Sequence, residues 1–223
     1  MFIKKIRCPV VVAAVSIITI LGFALLSRGQ AEKTAPTTDD PNAWAGLTAE
    51  QIAKVKAGEM VILQEDQSQG KEQKRLIRCA MTFDQPIDKV WSLITQDERQ
   101  DEYLPGLSKC TLVKREATQD WVDFFVKIFF IKVTYRVNHH YDPEHYYMNW
   151  GLDPTFKNDL NHLEGFWQLY AMPDGRTLTR YGTKVIPASF LPESIQDYLT
   201  RRSLPENLDA VRKWINSGGT YHK

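Results

Sequence analysis

Residues 119–141, QDWVDFFVKIFFIKVTYRVNHHY, decide how this chain folds. Val122, Phe124, Val126 and Ile128 recur at every second position, the spacing of a strand with one buried face. The recurrence resumes at Ile131, Val133, Tyr135 and Val137, on odd positions instead of even ones. A strand cannot change the face it buries without a break, so the chain turns near Phe129-Phe130-Ile131 and returns antiparallel. That turn contains no Gly, Asn, Asp or Pro. Two readings follow. Either Phe129 and Phe130 form an exposed tip between Lys127 and Lys132, which suits a membrane interface, or the strands run on through a bulge and the rings are covered.

The same alternation extends outward. It predicts strands near 107–115, 119–129, 132–141, 145–152, 160–172 and 176–186, with turns at Asp142-Pro143 and Pro173-Asp174-Gly175. Upstream, Glu59–Glu65 and Lys74–Phe83 read as a further hairpin. Thr48 and Gln51 form a capping box for a helix that Gly58 closes. Asp84 before Pro86 reads as the cap of a second helix carrying Val90, Trp91 and Ile94, and Thr95 with Glu98 as the box of a third. Downstream, Pro192 to Asn216 is helical, with stripes at Ile195, Tyr198, Leu199 and at Leu208, Val211, Trp214, Ile215. Pro205 interrupts it, and the Ser203–Glu206 box restarts it there. A six-strand meander cannot bury its apolar face alone, so the terminal helix must cover it. The expected class is α+β.

Of 223 residues, 43% are hydrophobic and 25% charged, the proportions of a globular chain, and the net charge is +1. Residues 1–31 hold four bases (Lys4, Lys5, Arg7, Arg28) and no acid, which leaves 24 bases against 27 acids in the remainder. Such a mildly acidic body lacks the basic surface that nucleic-acid binding needs. Lys4, Lys5 and Arg7 precede the uncharged run CPVVVAAVSIITILGFALL, residues 8–26. This is the layout of an export signal. Gly29 and Ala31 suit cleavage after Ala31, but the run is also long enough to stay as a membrane anchor. Either way the body is expected outside the cytoplasm, periplasmic or otherwise extracytoplasmic, free or held at the inner membrane. Residues 32–46 read as a linker, 47–217 as the domain and 218–223 as a tail.

Four segments carry a resemblance to a known family. FDQPIDKVWSLITQ (83–96), YLPGLSKCTLV (103–113), EGFWQLYAMPDGRTLTRYGTKVIP (164–187) and LPESIQDYLTRRSLPENLDAVRKWI (191–215) together resemble the START-like (SRPBCC) superfamily. The likeness runs from about Gly58 to Ser217. It implies the helix-grip fold: a curved antiparallel sheet wrapped around a long C-terminal helix, with two short helices after the sheet's first strand. It also implies a cavity for a hydrophobic molecule such as a lipid, quinone or polycyclic compound. Inward-phase residues then become lining candidates: Phe124 and Val126, Tyr135 and Val137, Met148 and Trp150, Gly165 and Trp167, Tyr181. The terminal helix would add Ile195 and Leu199. The same residues would equally suit a solid core. Phe129, Phe130 and Phe190 are the expected membrane-contacting rim.

Chemistry-bearing motifs are sparse. No nucleophile elbow, zinc-binding helix or phosphate loop occurs, and no cofactor or metal is expected. His139 and His140 are adjacent on a strand and point to opposite faces. His162 and Glu164 share a face and could pair. The resemblance admits a cyclase or dehydratase reading, for which Tyr135, His139 and Tyr181 are the candidates. It also admits a non-catalytic adaptor with a closed cavity. Cys79 and Cys110 are expected on neighbouring strands, as two buried thiols or as a bridge.

Overall fold

The computed structural model describes residues 34–67, 74–128, 130–198 and 203–223. The signal or anchor reading of residues 1–31, and the candidates Phe129 and Leu199, lie outside them. Among the described residues, no helix is long and apolar enough to cross a membrane.

Eight antiparallel strands form one curved sheet: β1 (Val61–Gln67), β2 (Lys74–Phe83), β3 (Leu107–Arg115), β4 (Gln119–Ile128), β5 (Ile131–Asp142), β6 (Tyr147–Leu152), β7 (Leu160–Ala171) and β8 (Thr177–Pro187). The spatial order is β1-β2-β8-β7-β6-β5-β4-β3. The meander from β3 to β8 is as expected, and β2 joins it by pairing with β8. Register shifts between Leu107 and Lys109, and again between Leu112 and Lys114, mark bulges on β3. Such bulges bend a strand and raise its twist.

The change of phase in the opening segment is a tight hairpin, with Ile128 of β4 paired directly to Ile131 of β5. Phe130 is 99% exposed.

The helices are α1 (Ala49–Lys56), α2 (Ile87–Ile94), α3 (Gln100–Tyr103), α4 (Glu193–Asp197) and α5 (Ser203–Asn216). Thr48 and Gln51 make the reciprocal capping box of α1. Two other expected caps are corrected. Asp84 does not cap α2, whose N-cap is Pro86 with no side-chain bond. Asp84 instead grips the far end of the chain: its N–H donates to Asn216 Oδ1 at 2.9 Å, and Asn216 Nδ2 donates to Asp84 Oδ2 at 2.8 Å. Thr95 Oγ1 donates back to Trp91 O, and a 3₁₀ turn, Asp97–Arg99, leads into α3. Pro205 sits in the first turn of α5, where a missing N–H costs nothing.

The core lies between the concave face of the sheet and α5. Leu208, Val211, Trp214 and Ile215 pack there with Met81, Phe83, Met148, Trp167 and Leu169. Residues 34–46 do not hang free as a linker. Ala43 is fully buried, Thr37 bridges Ala171, and Arg180 donates to the carbonyls of Ala43 and Ala45. The tail is fastened too, since Lys223 Nζ donates to the carbonyls of Leu104 and Leu107.

Cys79 and Cys110 are both buried free thiols. Their strands are not neighbours: five strands separate β2 from β3 in the sheet. Burial pushes the Cys79 thiol up to about 12 and raises Cys110 further.

Candidate functional site

A cavity of about 220 Å³ lies between the sheet on one side and the segment Asp97–Leu107, Tyr198 and α5 on the other. Strands β4 to β8 contribute by their inward phases. β4 supplies Phe124 and Val126, and β5 supplies Tyr135, Val137 and His139. β6 supplies Met148 and Trp150, β7 Leu163 and Trp167, β8 Tyr181, Thr183 and Val185.

The aromatic residues form a continuous belt. Tyr135 stacks on Phe124 with ring centroids 5.4 Å apart, and Phe124 meets His139 edge-on at 6.2 Å. His139 lies 6.4 Å from Trp150, Trp150 5.9 Å from Tyr181, and Tyr181 4.3 Å from Trp167. A wall of ring faces and edges favours a flat, polarisable occupant over a branched aliphatic one.

Two of the expected lining residues lie outside the cavity lining. Gly165 lines nothing: it lies directly opposite Trp150 on β6, whose indole fills the space a side chain would need. Ile195 is buried with Ile128, Val133, Leu160 and Leu191, behind the cavity wall. The α4 segment reaches the cavity through Tyr198 instead. Phe190 is 70% exposed, and its neighbour Leu191 packs against Ile128 and Val133 of the β4–β5 hairpin.

One end of the cavity wall is charged, and the sequence reading found only its histidine. Asp97, Asp120 and His139 are 2%, 0% and 3% exposed. His139 Nδ1 is 2.8 Å from Asp120 Oδ1. Its other nitrogen, Nε2, is 3.6 Å from Asp97 Oδ1, too long for a hydrogen bond. Asp97 accepts from Gln100 Nε2 at 2.6 Å and from the Tyr141 hydroxyl at 2.7 Å. Arg115 donates to Asp120 Oδ2 at 2.9 Å and to both oxygens of Glu98. Asp120 shares the even, inward phase of Val122, Phe124 and Val126, so an acid in an apolar phase was the available signal. Asp97 sits on a 3₁₀ turn, where no periodicity exists to mark it.

The environment drives the two carboxyls apart. Burial raises Asp97, opposed only in part by His139. Burial also works to raise Asp120, but the hydrogen bond and charge of His139, with Arg115, outweigh it and hold the group below its ordinary range. Burial disfavours an imidazolium at His139, and the carboxylates, Asp97 first, overcome it and raise that group. Carboxyls pushed in opposite directions around one imidazole are the arrangement of acid–base sites. The oxygen and nitrogen atoms of the three residues lie within 4.8 Å of one another, as metal ligands do. The Arg115 guanidinium on Asp120 makes the cluster a poor cation site, however, because its positive charge already occupies that carboxylate.

One other polar atom at the wall is unpaired. Asn207 Oδ1 is buried without a hydrogen-bond partner, a condition that costs about 1–3 kcal/mol. Away from the cavity, the half-buried His162 places Nε2 3.3 Å from Oε1 of the exposed Glu164.

Solved structures share this architecture. They include a STAR-related lipid transfer protein from Xanthomonas axonopodis, with TM-score 0.58 and 12% identity over 70% of this chain and 93% of that one. The Zhui aromatase/cyclase from Streptomyces sp. R1128 gives TM-score 0.54 and 13% identity over 72% and 94%. TTHA0849 from Thermus thermophilus gives 0.54 and 18% over 65% and 96%. At such identities the likeness is one of fold. No curated protein matches the chain by sequence. The family profile described as polyketide cyclase / dehydrase and lipid transport matches residues 83–212, the span that carries α2, the meander, the charged wall and most of α5, and the chain belongs to that family.

Proposed function

We propose that this protein binds and carries a flat hydrophobic small molecule in the cavity between its sheet and α5. The observation that carries the reading is the cavity itself, about 220 Å³ walled by a belt of aromatic residues. A dry cavity of roughly 150 Å³ admits one benzene. This one therefore has room for one or two rings, such as a quinone head or a bicyclic body, while a longer tail must leave it. The family reading of hydrophobic ligand binding or cyclase activity agrees with this. A second reading, cyclase- or dehydratase-type chemistry, is favoured by the oppositely shifted Asp97 and Asp120 around His139.

The proposal extends to location. The basic start and uncharged run of residues 4–26 support export, with the body acting outside the cytoplasm and, if the run is retained, close to a membrane. Exposed Phe130 and Phe190 support contact with that membrane, because the hairpin and the segment before α4 pack together beside the cavity wall. Solvent extraction of protein purified from a native-like envelope, followed by mass spectrometry, tests the carrier reading. A bound one- or two-ring compound is expected. Protein that is always empty and binds no such compound in solution would overturn it.

A further inference from the structure

We infer that Asn207 of α5 reads a hydrogen-bond donor on the ligand, so that the cavity selects flat apolar molecules bearing a hydroxyl or N–H group. The inference rests on the cavity reading and names the ligand class within it. Among the described residues, buried side-chain atoms without a hydrogen-bond partner occur at Thr82, Thr111, His162, Asn207 and Trp214. Of these residues only Asn207 lines the cavity. Its unpaired atom is Oδ1, an acceptor closed off from bulk water.

A buried amide oxygen gives up its bonds to water on folding and pays for that until a donor reaches it. A ligand that brings a donor restores the bond, and a ligand of the same shape without one leaves the cost in place. An ether or ketone oxygen carries lone pairs only and cannot pair with an acceptor. The terminal torsion of asparagine is broad, so the amide can turn toward the donor at little strain. Ser203 and Asn207, one turn apart, are the polar residues that α5 gives the cavity lining, and Leu204, Leu208 and Val211 are the apolar ones. Leu208 and Val211 are packed in the core, which keeps the helix from rolling Asn207 away from the cavity. Shape and polarity are thus read by different elements: the rings on the strands hold a flat body, and α5 meets its donor.

The test compares 2-naphthol with 2-methylnaphthalene, two bodies of one shape with and without a donor, by calorimetric titration of the full chain and of Asn207→Leu. Leucine keeps the volume of the side chain and removes the acceptor. The ratio of the two affinities is taken in each protein, so that the different hydration of the ligands cancels. The preference for 2-naphthol is expected to fall at least tenfold in Asn207→Leu, with binding of 2-methylnaphthalene retained as the internal check on the fold. A smaller fall in a folded variant would overturn the proposal and leave the cavity reading standing, as would a native chain that binds 2-methylnaphthalene alone. Binding of neither compound to the native chain would remove the cavity reading and the proposal with it. Should the variant fail to fold, the side-chain amide resonances of Asn207 in the native chain decide. They should shift with 2-naphthol and stay in place with 2-methylnaphthalene, and the same response to both would overturn the assignment.

Discussion

The indole of Trp150 occupies the place of the side chain that Gly165 lacks. The two residues are directly paired across β6 and β7, and a Cβ added to Gly165 would meet Trp150 Cζ2 at 2.2 Å and the Gly182 carbonyl oxygen at 2.7 Å. The glycine is what lets the belt of rings lie close to the sheet and leaves the space beyond it open.

Gly165→Ala is therefore expected to push Trp150 into the cavity and to strain β7 against β8. Overpacking of this kind costs about 1–3 kcal/mol. Denaturant unfolding should show that loss, and binding of a two-ring ligand should weaken at least tenfold. An unchanged affinity would place the ligand elsewhere.

Stability should fall on the alkaline side because of His139. Its folded value lies above the ordinary 6.5, so its contribution is fully present below that pH and is lost as pH rises through the folded value. Asp120 has the opposite sign. Its contribution is present above the ordinary 3.8 and is lost as pH falls through its lowered folded value. Asp97 is raised, so folding favours its neutral form and its contribution declines from 3.8 upward. Melting temperatures measured from pH 6 to 9 should decline in the native chain and decline less in His139→Gln.

Cys79 and Cys110 should resist modification in a folded chain lacking residues 1–31, and with them Cys8. Burial pushes Cys79 up to about 12 and raises Cys110 further, so little reactive thiolate exists at neutral pH. A colourimetric thiol reagent should label neither residue before unfolding and both after it. A disulfide between them in the folded chain would contradict the strand order.

Removing the exposed rings should weaken membrane contact. Burying a phenylalanine contributes roughly 1.5–3 kcal/mol. Phe130→Ser with Phe190→Ser, in a chain lacking residues 1–31, should lower partitioning onto liposomes by at least tenfold and leave the melting temperature unchanged. Equal partitioning would assign these rings no part in membrane contact.

Local alternation was enough to place the strands and the hairpin. The parity change after Ile128 could only be a turn, and it is one. The features that escaped are those that depend on distant segments. Asp84 looks like a cap, but Asn216, at the other end of the domain, competes for it and wins. Cys79 and Cys110 were expected as neighbours because chain order suggests pairing β2 with β3, whereas closure onto β8 sends them to different parts of the sheet. At the site, His139 was visible as a polar residue in the inward phase. Asp120 obeys the same rule, yet a lone acid in a strand reads first as a solvated face. Asp97 reaches the cavity from a 3₁₀ turn, a placement only the packing of α2 and α3 against the sheet creates.

Filling the cavity tests the central claim most directly. Val126→Trp places an indole where the cavity lining now offers only an isopropyl group. Titration of that variant with a two-ring ligand, with circular dichroism to confirm the fold, is the measurement. The account predicts that saturable one-to-one binding seen in the native chain disappears in the folded variant. Binding of undiminished affinity in the folded variant would contradict it.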